Sequence, residues 1–183
     1  MKQELLSAKI ELPEKVSCNY KDYILTIKGP KGEIKRKIFH PRLNIAIDNS
    51  SVVFSFKNAT KREKKIIYSY VAHLKNMVKG VTRGHIYKLK ICSGHFPMTV
   101  TYKNNVFEVK NFFGETIPRR VMINCDAKIS INGNEIVVES ISKEEAGQVA
   151  ATIEQLTRRT GFDRRRFQDG IYIIEKDGKK IEE

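Results

Sequence analysis

The sequence predicts an α+β protein of two tandem similar domains from an internal duplication, each an antiparallel sheet with one helix packed on a face. It resembles itself at a shift of 82 to 84 residues. Two helix-start patterns, Thr60-x-x-Glu63 and Ser142-x-x-Glu145, lie 82 residues apart, and each precedes an amphipathic stretch. Two copies indicate a duplicated domain rather than a solenoid, which needs at least three repeats. We place the domains at residues 1–81 and 82–183.

Short strands form the repeated sheet. Residues 20–28 align with residues 102–110, and both segments alternate in part between apolar and polar residues. Further on, two pairs of apolar segments align: 45–47 with 129–131, and 52–54 with 136–138. In the first copy, the Gly29-Pro30-Lys31-Gly32 link has the chemistry of a tight turn. It is either a plain hairpin turn or a contact loop.

One helix ends each copy. After Thr60, apolar residues recur at helical spacing and predict one buried face: Ile66, Ile67, Tyr70, Val71, Leu74, Met77 and Val78. The second stripe is thinner, so we expect its helix to lie closer to the sheet: Ala146, Val149, Ala150, Ile153 and Leu156. We expect Leu74 and Ile153 to be buried, Gly80 to end the first helix, and Arg158 with Arg159 to end the second.

The chain is strongly basic, with 34 Lys+Arg against 21 Asp+Glu and a formal net charge of +13. Such a charge points to nucleic acid as the partner. Residues 1–81 have 17 Lys+Arg against 7 Asp+Glu, mostly as lysine. Residues 82–183 have 17 against 14, but five of these cations lie within nine residues, flanked by Phe162 and Phe167: Arg158, Arg159, Arg164, Arg165 and Arg166. Arginine pairs phosphate bidentately and stacks on bases, so this segment predicts an RNA contact. The alternative is a solvated helix end.

Other classes of protein are disfavoured. The longest apolar runs, such as residues 171–174, are far shorter than the ~20 residues that span a membrane, and we expect no signal peptide. The cysteines are scattered and odd in number, which favours a reducing compartment over a disulfide framework: Cys18, Cys92 and Cys125. Metal-ligand spacings and catalytic motifs are absent from the sequence, so we expect no metal, no cofactor and no enzymatic activity. His95 is expected to be a turn residue rather than a base.

Several segments together resemble a known family. They include Lys79-Gly80-Val81-Thr82-Arg83-Gly84, Lys110-Asn111-Phe112-Phe113-Gly114-Glu115 and Asp169-Gly170-Ile171-Tyr172, with further matches at residues 26–32, 87–90, 95–98 and 119–121. Their order and spacing resemble the universal large-subunit ribosomal protein six family, called ribosomal protein nine in eukaryotic naming. The similarity runs from about Ile10 to Lys176, and the last segment resembles the archaeal and eukaryotic branch.

The resemblance implies a structural, non-enzymatic constituent of the large ribosomal subunit, in the cytoplasm. It implies that large-subunit rRNA is bound, chiefly by the C-terminal domain, near the sarcin–ricin region and the stalk base where translational GTPases dock. Neighbouring large-subunit proteins are further implied partners, and a membrane is not. Two alternatives stay open: an RNA-modifying enzyme, and an RNA-binding module of the RRM type, whose aromatic signature residues 111–114 only faintly echo.

The candidate RNA-binding residues are all cations of the predicted second domain: Arg158, Arg159, Arg164, Arg165, Arg166, Arg119, Arg120, Lys103 and Lys110. We expect the 158–166 segment to be the main anchor.

Overall fold

The structure is a computed structural model that describes residues 3–48, 50–163 and 165–181. The chain divides into two compact units, residues 1–84 (the first unit) and residues 85–183 (the second unit).

The first unit contains six strands and one helix within the described residues. They are β1 (Gln3–Glu11), β2 (Ser17–Lys21), β3 (Ile24–Gly29), β4 (Gly32–Lys37), β5 (Leu43–Asp48), β6 (Ser51–Ala59) and α1 (Lys61–Thr82). The strands form two antiparallel sheets, ordered β1-β6-β5 and β2-β3-β4. The apolar face of α1 packs on them: Ile67 and Leu74 are buried, as are Phe54 and Phe56 of β6.

The second unit repeats this order and then adds a hairpin. Its elements are β7 (His85–Cys92), β8 (Thr99–Lys103), β9 (Val106–Lys110), β10 (Arg119–Met122), β11 (Lys128–Asn132), β12 (Glu135–Ser140), α2 (Lys143–Leu156), β13 (Gly170–Lys176) and β14 (Lys179–Lys180). The described strands form sheets ordered β10-β9-β8 and β11-β12-β7-β13-β14. Helix α2 packs on β7, β12 and β13, and this hydrophobic core includes Leu89, Phe107 and Ile153.

The predicted α+β class and internal duplication are confirmed. β1 to β6 and α1 correspond in order and pairing to β7 to β12 and α2, and the strands of each unit are divided between two sheets. The equivalence extends to turns. The β2–β3 hairpin turns at Asp22 and Tyr23 with φ of 51° and 63°, and the β8–β9 hairpin turns at Asn104 and Asn105 with φ of 50° and 61°. Two consecutive positive φ angles are what a type I′ hairpin turn requires.

Helix α1 begins as predicted but continues past Gly80. Thr60 and Glu63 form the reciprocal capping box. The expectation that Gly80 ends the helix is wrong, because the N–H of Gly84 still donates to the Gly80 carbonyl at 2.9 Å. Gly84, with φ of 79°, is the left-handed residue that follows the helix.

The extra helical turn packs against the β3–β4 hairpin. A Cβ atom on Gly29 would lie 2.7 Å from Cγ2 of Val81, so only glycine fits there. The N–H of Lys31 donates to the Val81 carbonyl at 3.0 Å. The Gly29–Gly32 link is therefore a hairpin turn that closes against the end of α1.

Helix α2 differs from the prediction at both ends. The Ser142 hydroxyl accepts from the Glu145 N–H, but the Glu145 carboxylate accepts from the hydroxyl of Ser140, which in turn accepts from the Ser142 N–H. The reciprocal half of the second capping box is thus relayed through Ser140. At the other end, α2 stops at Leu156 rather than at residue 159, since the Thr157 side chain accepts from the Ile171 N–H at 2.9 Å and fixes the helix end to β13.

The three cysteines are free thiols, each half-buried: Cys18, Cys92 and Cys125. Burial raises the pKa of Cys18 to about 11, which keeps this thiol protonated and unreactive at neutral pH.

Candidate nucleic-acid interface

The predicted arginine segment, residues 158–166, connects α2 to β13. Arg158, Arg165 and Arg166 are exposed and Arg159 is half-buried, whereas Arg164 lies outside the described residues. Asp163, the acid within the segment, accepts two main-chain hydrogen bonds: its Oδ1 accepts from the Arg165 N–H at 3.0 Å, and its carbonyl accepts from the Arg166 N–H at 3.1 Å. Among the described residues of the segment, Arg158, Arg165 and Arg166 therefore present their side chains to solvent.

Three phenylalanine rings pack against one another at this segment. We call Phe113, Phe162 and Phe167 the phenylalanine cluster. Its ring centroids lie 5.8 Å apart for Phe113 and Phe162, 6.0 Å for Phe113 and Phe167, and 5.2 Å for Phe162 and Phe167. The Arg159 guanidinium stacks 4.1 Å from the Phe162 centroid and 5.2 Å from that of Phe113. Such cation–π contacts restrain Arg159 while leaving its hydrogen-bond donors available.

Phe113 is a site residue that sequence reasoning missed. It lies in a 3₁₀ turn, Phe112–Gly114, and has a φ of 50°. An aromatic residue in the left-handed region is strained, and such strain persists only where surrounding contacts impose it. Here the ring contacts of Phe113 with Phe112, Phe162 and Phe167 hold it. The one sequence feature that could have indicated Phe113 was its position in the 110–115 motif.

Arg119, predicted to bind RNA, is engaged within the protein. Its Nε and Nη2 donate to the two carboxylate oxygens of Glu115 at 2.8 and 2.7 Å. Its Nη1 donates to the carbonyls of Leu156 and Arg158 at 2.9 and 3.2 Å, and its guanidinium lies 4.4 Å from the Phe112 ring centroid. The bonds from Arg119 lower the pKa of Glu115 below its usual value. Arg119 therefore positions the end of α2 and the start of the arginine segment.

The other predicted cations share a different surface. By strand register, Lys103, Glu108, Lys110 and Arg120 lie on one face of the β8–β9–β10 sheet, opposite the buried Phe107. Arg120 donates to Glu108 Oε1 at 2.9–3.0 Å, and Lys110 lies 4.0 Å from Oε2 of the same carboxylate. This face carries three cations against one acid and is exposed at each cation.

Asp169 anchors the loop between β7 and β8. The carboxylate is almost fully buried and accepts from the N–H groups of Gly94, His95 and Phe96 at 2.9–3.3 Å. It also pairs with His95 Nδ1 at 3.0 Å, and the His95 ring lies 5.3 Å from that of Phe167. Burial raises the pKa of Asp169, but these donors outweigh it and the net pKa is lowered. His95 is thus a loop anchor.

A pocket of about 330 Å³ opens beside the arginine segment, within the second unit. Its walls come from the last turn of α2, the phenylalanine cluster and the start of β13, and include Gln155, Arg158, Arg159 and Tyr172. Sequence reasoning missed this pocket, because it forms only when the chain after α2 folds back to β13 and Phe113 packs against it.

The described residues hold no group of three or more His, Cys, Asp or Glu side chains that could bind a metal ion. Neither α1 nor α2, the two α-helices of the described chain, is long and apolar enough to cross a membrane.

Comparison with known proteins matches the two halves of the chain separately. A family model described as Ribosomal protein L6 matches residues 12–84 and again residues 96–170. The two matches begin 84 residues apart, in agreement with the internal repeat.

Similar proteins are found in archaea. The chain is 41% identical to a large ribosomal subunit protein uL6 of Nanoarchaeum equitans, covering 99% of this chain and 98% of that protein. It is 40% identical to the protein of the same name from Methanosarcina mazei, over 93% and 97% of the two chains. The Saccharolobus solfataricus protein is also 40% identical, over 94% and 96%.

Proposed function

The chain belongs to the ribosomal protein L6 family, and from that premise we propose that it is a structural constituent of the large ribosomal subunit that anchors itself on large-subunit rRNA through its arginine segment. Its place is then in the ribosome, within the cytoplasm, with rRNA and neighbouring large-subunit proteins as partners. The proposed role is structural and needs no catalysis.

One observation carries the choice of surface: exposed arginines lie close in the chain to Arg159, whose guanidinium is stacked on the phenylalanine cluster. Arg158 is exposed just after α2, Arg165 and Arg166 are exposed where Asp163 accepts from their N–H groups, and Arg159 is stacked on Phe162. Preorganised guanidinium groups lose less entropy on binding phosphate than mobile side chains do. The segment therefore supplies dense positive charge in a defined geometry.

The remaining predicted cations form a secondary contact surface. Lys103, Lys110 and Arg120 extend the positive field across the β8–β9–β10 sheet, although Glu108 partly neutralises it. Arg119 acts indirectly, since four hydrogen bonds within the protein occupy its guanidinium. The arginine segment is thus the main RNA contact, the sheet face is a secondary contact, and Arg119 is a positioning residue.

We place the binding site near the sarcin–ricin region and the base of the stalk, beside the docking site of translational GTPases. The family resemblance supports this location. Hydroxyl-radical footprinting of the full chain on deproteinised large-subunit rRNA tests it. Protection is expected to cluster in the sarcin–ricin stem-loop and at the stalk base. Protection confined to other helices would contradict the location, and absence of any protected nucleotide would contradict direct rRNA binding.

A further inference from the structure

We propose that the pocket beside the arginine segment receives a single unstacked RNA base, with the Gln155 amide hydrogen-bonded to the edge of that base. The proposal deepens the rRNA-binding function above and rests on it. It assigns a nucleotide subsite to a surface otherwise described by its charge alone.

The size and place of the pocket suit one base. At about 330 Å³ it lies at the lower end of the ~300–1,000 Å³ range of small-ligand sites, too small for a helical segment of RNA. Arg158 lines it, and the arginine segment continues from there. A nucleotide that inserts its base would therefore keep its phosphate beside arginine side chains.

The walls offer flat π surfaces. Phe113, Phe162 and Phe167 line the pocket, together with Tyr172 from β13 and the stacked guanidinium of Arg159. Unstacked bases of single-stranded RNA are typically bound on aromatic rings and arginine planes, because every base has a π face. The pocket thus provides the apolar contacts that an extruded base loses on leaving its own stack.

The polar groups of the pocket differ in what they can still bind. Glu154 Oε1 accepts from the Ile173 N–H at 3.0 Å, Thr157 accepts from the Ile171 N–H, and Asp169 holds the β7–β8 loop. Gln155 is exposed on the last turn of α2. Its amide carries a donor and an acceptor side by side, the combination that matches a base edge. Gln155 is therefore the group placed to read the base.

Charge favours RNA over a protein side chain as the occupant. An aromatic side chain of a neighbouring protein would fit the π walls, but it would bring no anion for Arg158 and the exposed arginines beyond it. A nucleotide would contact the aromatic walls with its base and the arginines with its phosphate.

The test compares two glutamines of the same helix. Gln155→Ala removes the proposed base contact, and Gln148→Ala is the matched control, since Gln148 is exposed on α2 and outside the pocket. Each full-length variant is bound to deproteinised large-subunit rRNA, with affinity measured and base-specific methylation mapped. We expect Gln155→Ala to weaken binding roughly tenfold and to alter the reactivity of one nucleotide, and Gln148→Ala to do neither.

The other outcomes separate this inference from the proposed function. If Gln155→Ala behaves like Gln148→Ala while loss of arginines still weakens binding, the base pocket is wrong and the rRNA anchor stands. If Gln155→Ala affects only assembly with other ribosomal proteins, the occupant is a protein side chain and the inference is overturned. If the unmodified chain shows no specific rRNA binding, the proposed function itself fails.

Discussion

Nη1 of Arg119 donates to the main-chain carbonyl of Leu156 at 2.9 Å, so that a residue of β10 caps the end of α2. The same guanidinium makes a bidentate pair with Glu115. A sequence-predicted RNA contact thereby becomes a structural support for the segment that follows.

Replacing Arg119 by lysine separates charge from geometry. Arg119→Lys keeps the positive charge but loses the planar fork that contacts Glu115 and Leu156 together. We expect the second unit to lose about 1–3 kcal/mol of unfolding free energy, measured by urea denaturation. Arg120→Lys, at an exposed cross-strand pair with Glu108, should cost less than about 1 kcal/mol. Equal costs for the two variants would show that Arg119 has no special structural role.

Asp169 should govern the order of the β7–β8 loop. Asp169→Asn removes the negative charge and one of the oxygens that accept from Gly94, His95 and Phe96. We expect faster amide hydrogen exchange at Gly94 and Phe96, with exchange in β1 to β6 unchanged. Unaltered exchange at both amides would mean that the carboxylate does not hold the loop.

The capping box of α1 predicts a pH dependence. Hydrogen bonds from the hydroxyl and the N–H of Thr60 lower the pKa of Glu63 from its ordinary 4.5 to about 2. A lowered folded-state pKa adds stability that is fully present above 4.5 and is lost as the pH falls towards 2. The stability difference between wild type and Glu63→Gln should therefore be constant near neutral pH and shrink between pH 4.5 and 2.

Urea midpoints across this pH range measure that difference. Glu14→Gln, at an exposed residue ahead of β2, controls for the loss of one negative charge. A wild-type advantage over Glu63→Gln that persists unchanged at pH 2 would contradict the assignment.

Leu74 and Ile153 should each stabilise the core of their own unit. Both are fully buried and occupy the inner face of α1 and α2, as the sequence predicts. Leu74→Ala and Ile153→Ala should each cost about 2–5 kcal/mol in unfolding free energy. Lys64→Ala, on the exposed face of α1, should change it by less than about 0.5 kcal/mol. If either buried-site substitution costs as little as Lys64→Ala, the helix face assigned to the core is wrong.

Local patterns were sufficient for the duplication and the helix faces. The capping residues Thr60 and Ser142 and the apolar stripes act over a few positions, so a linear sequence displays them. The helix ends were harder to predict from the sequence, because α2 stops where the Thr157 side chain binds the main chain of Ile171, 14 residues further along.

The candidate site could be predicted only in part. The arginine segment stands out by composition, whereas Phe113, Glu115 and Asp169 act through partners 4 to 75 positions away in the chain. Contacts of this kind depend on the tertiary fold, and the periodicity of apolar residues in the sequence does not reveal them. The fold also gives Arg119 its structural role, which could not be predicted from its positive charge.

The salt dependence of rRNA binding tests most directly whether the arginine segment is the anchor. Arg165→Ala plus Arg166→Ala removes two exposed cations of the segment, and Lys9→Ala plus Lys15→Ala removes two exposed cations of the first unit. Each lost phosphate contact lowers the slope of log K against log salt by up to about 1. We predict weaker binding to large-subunit rRNA and a slope flatter by about 1–2 for the arginine pair, with little change for the lysine pair. Equal losses for both pairs would show that net charge, rather than this segment, holds the protein on RNA.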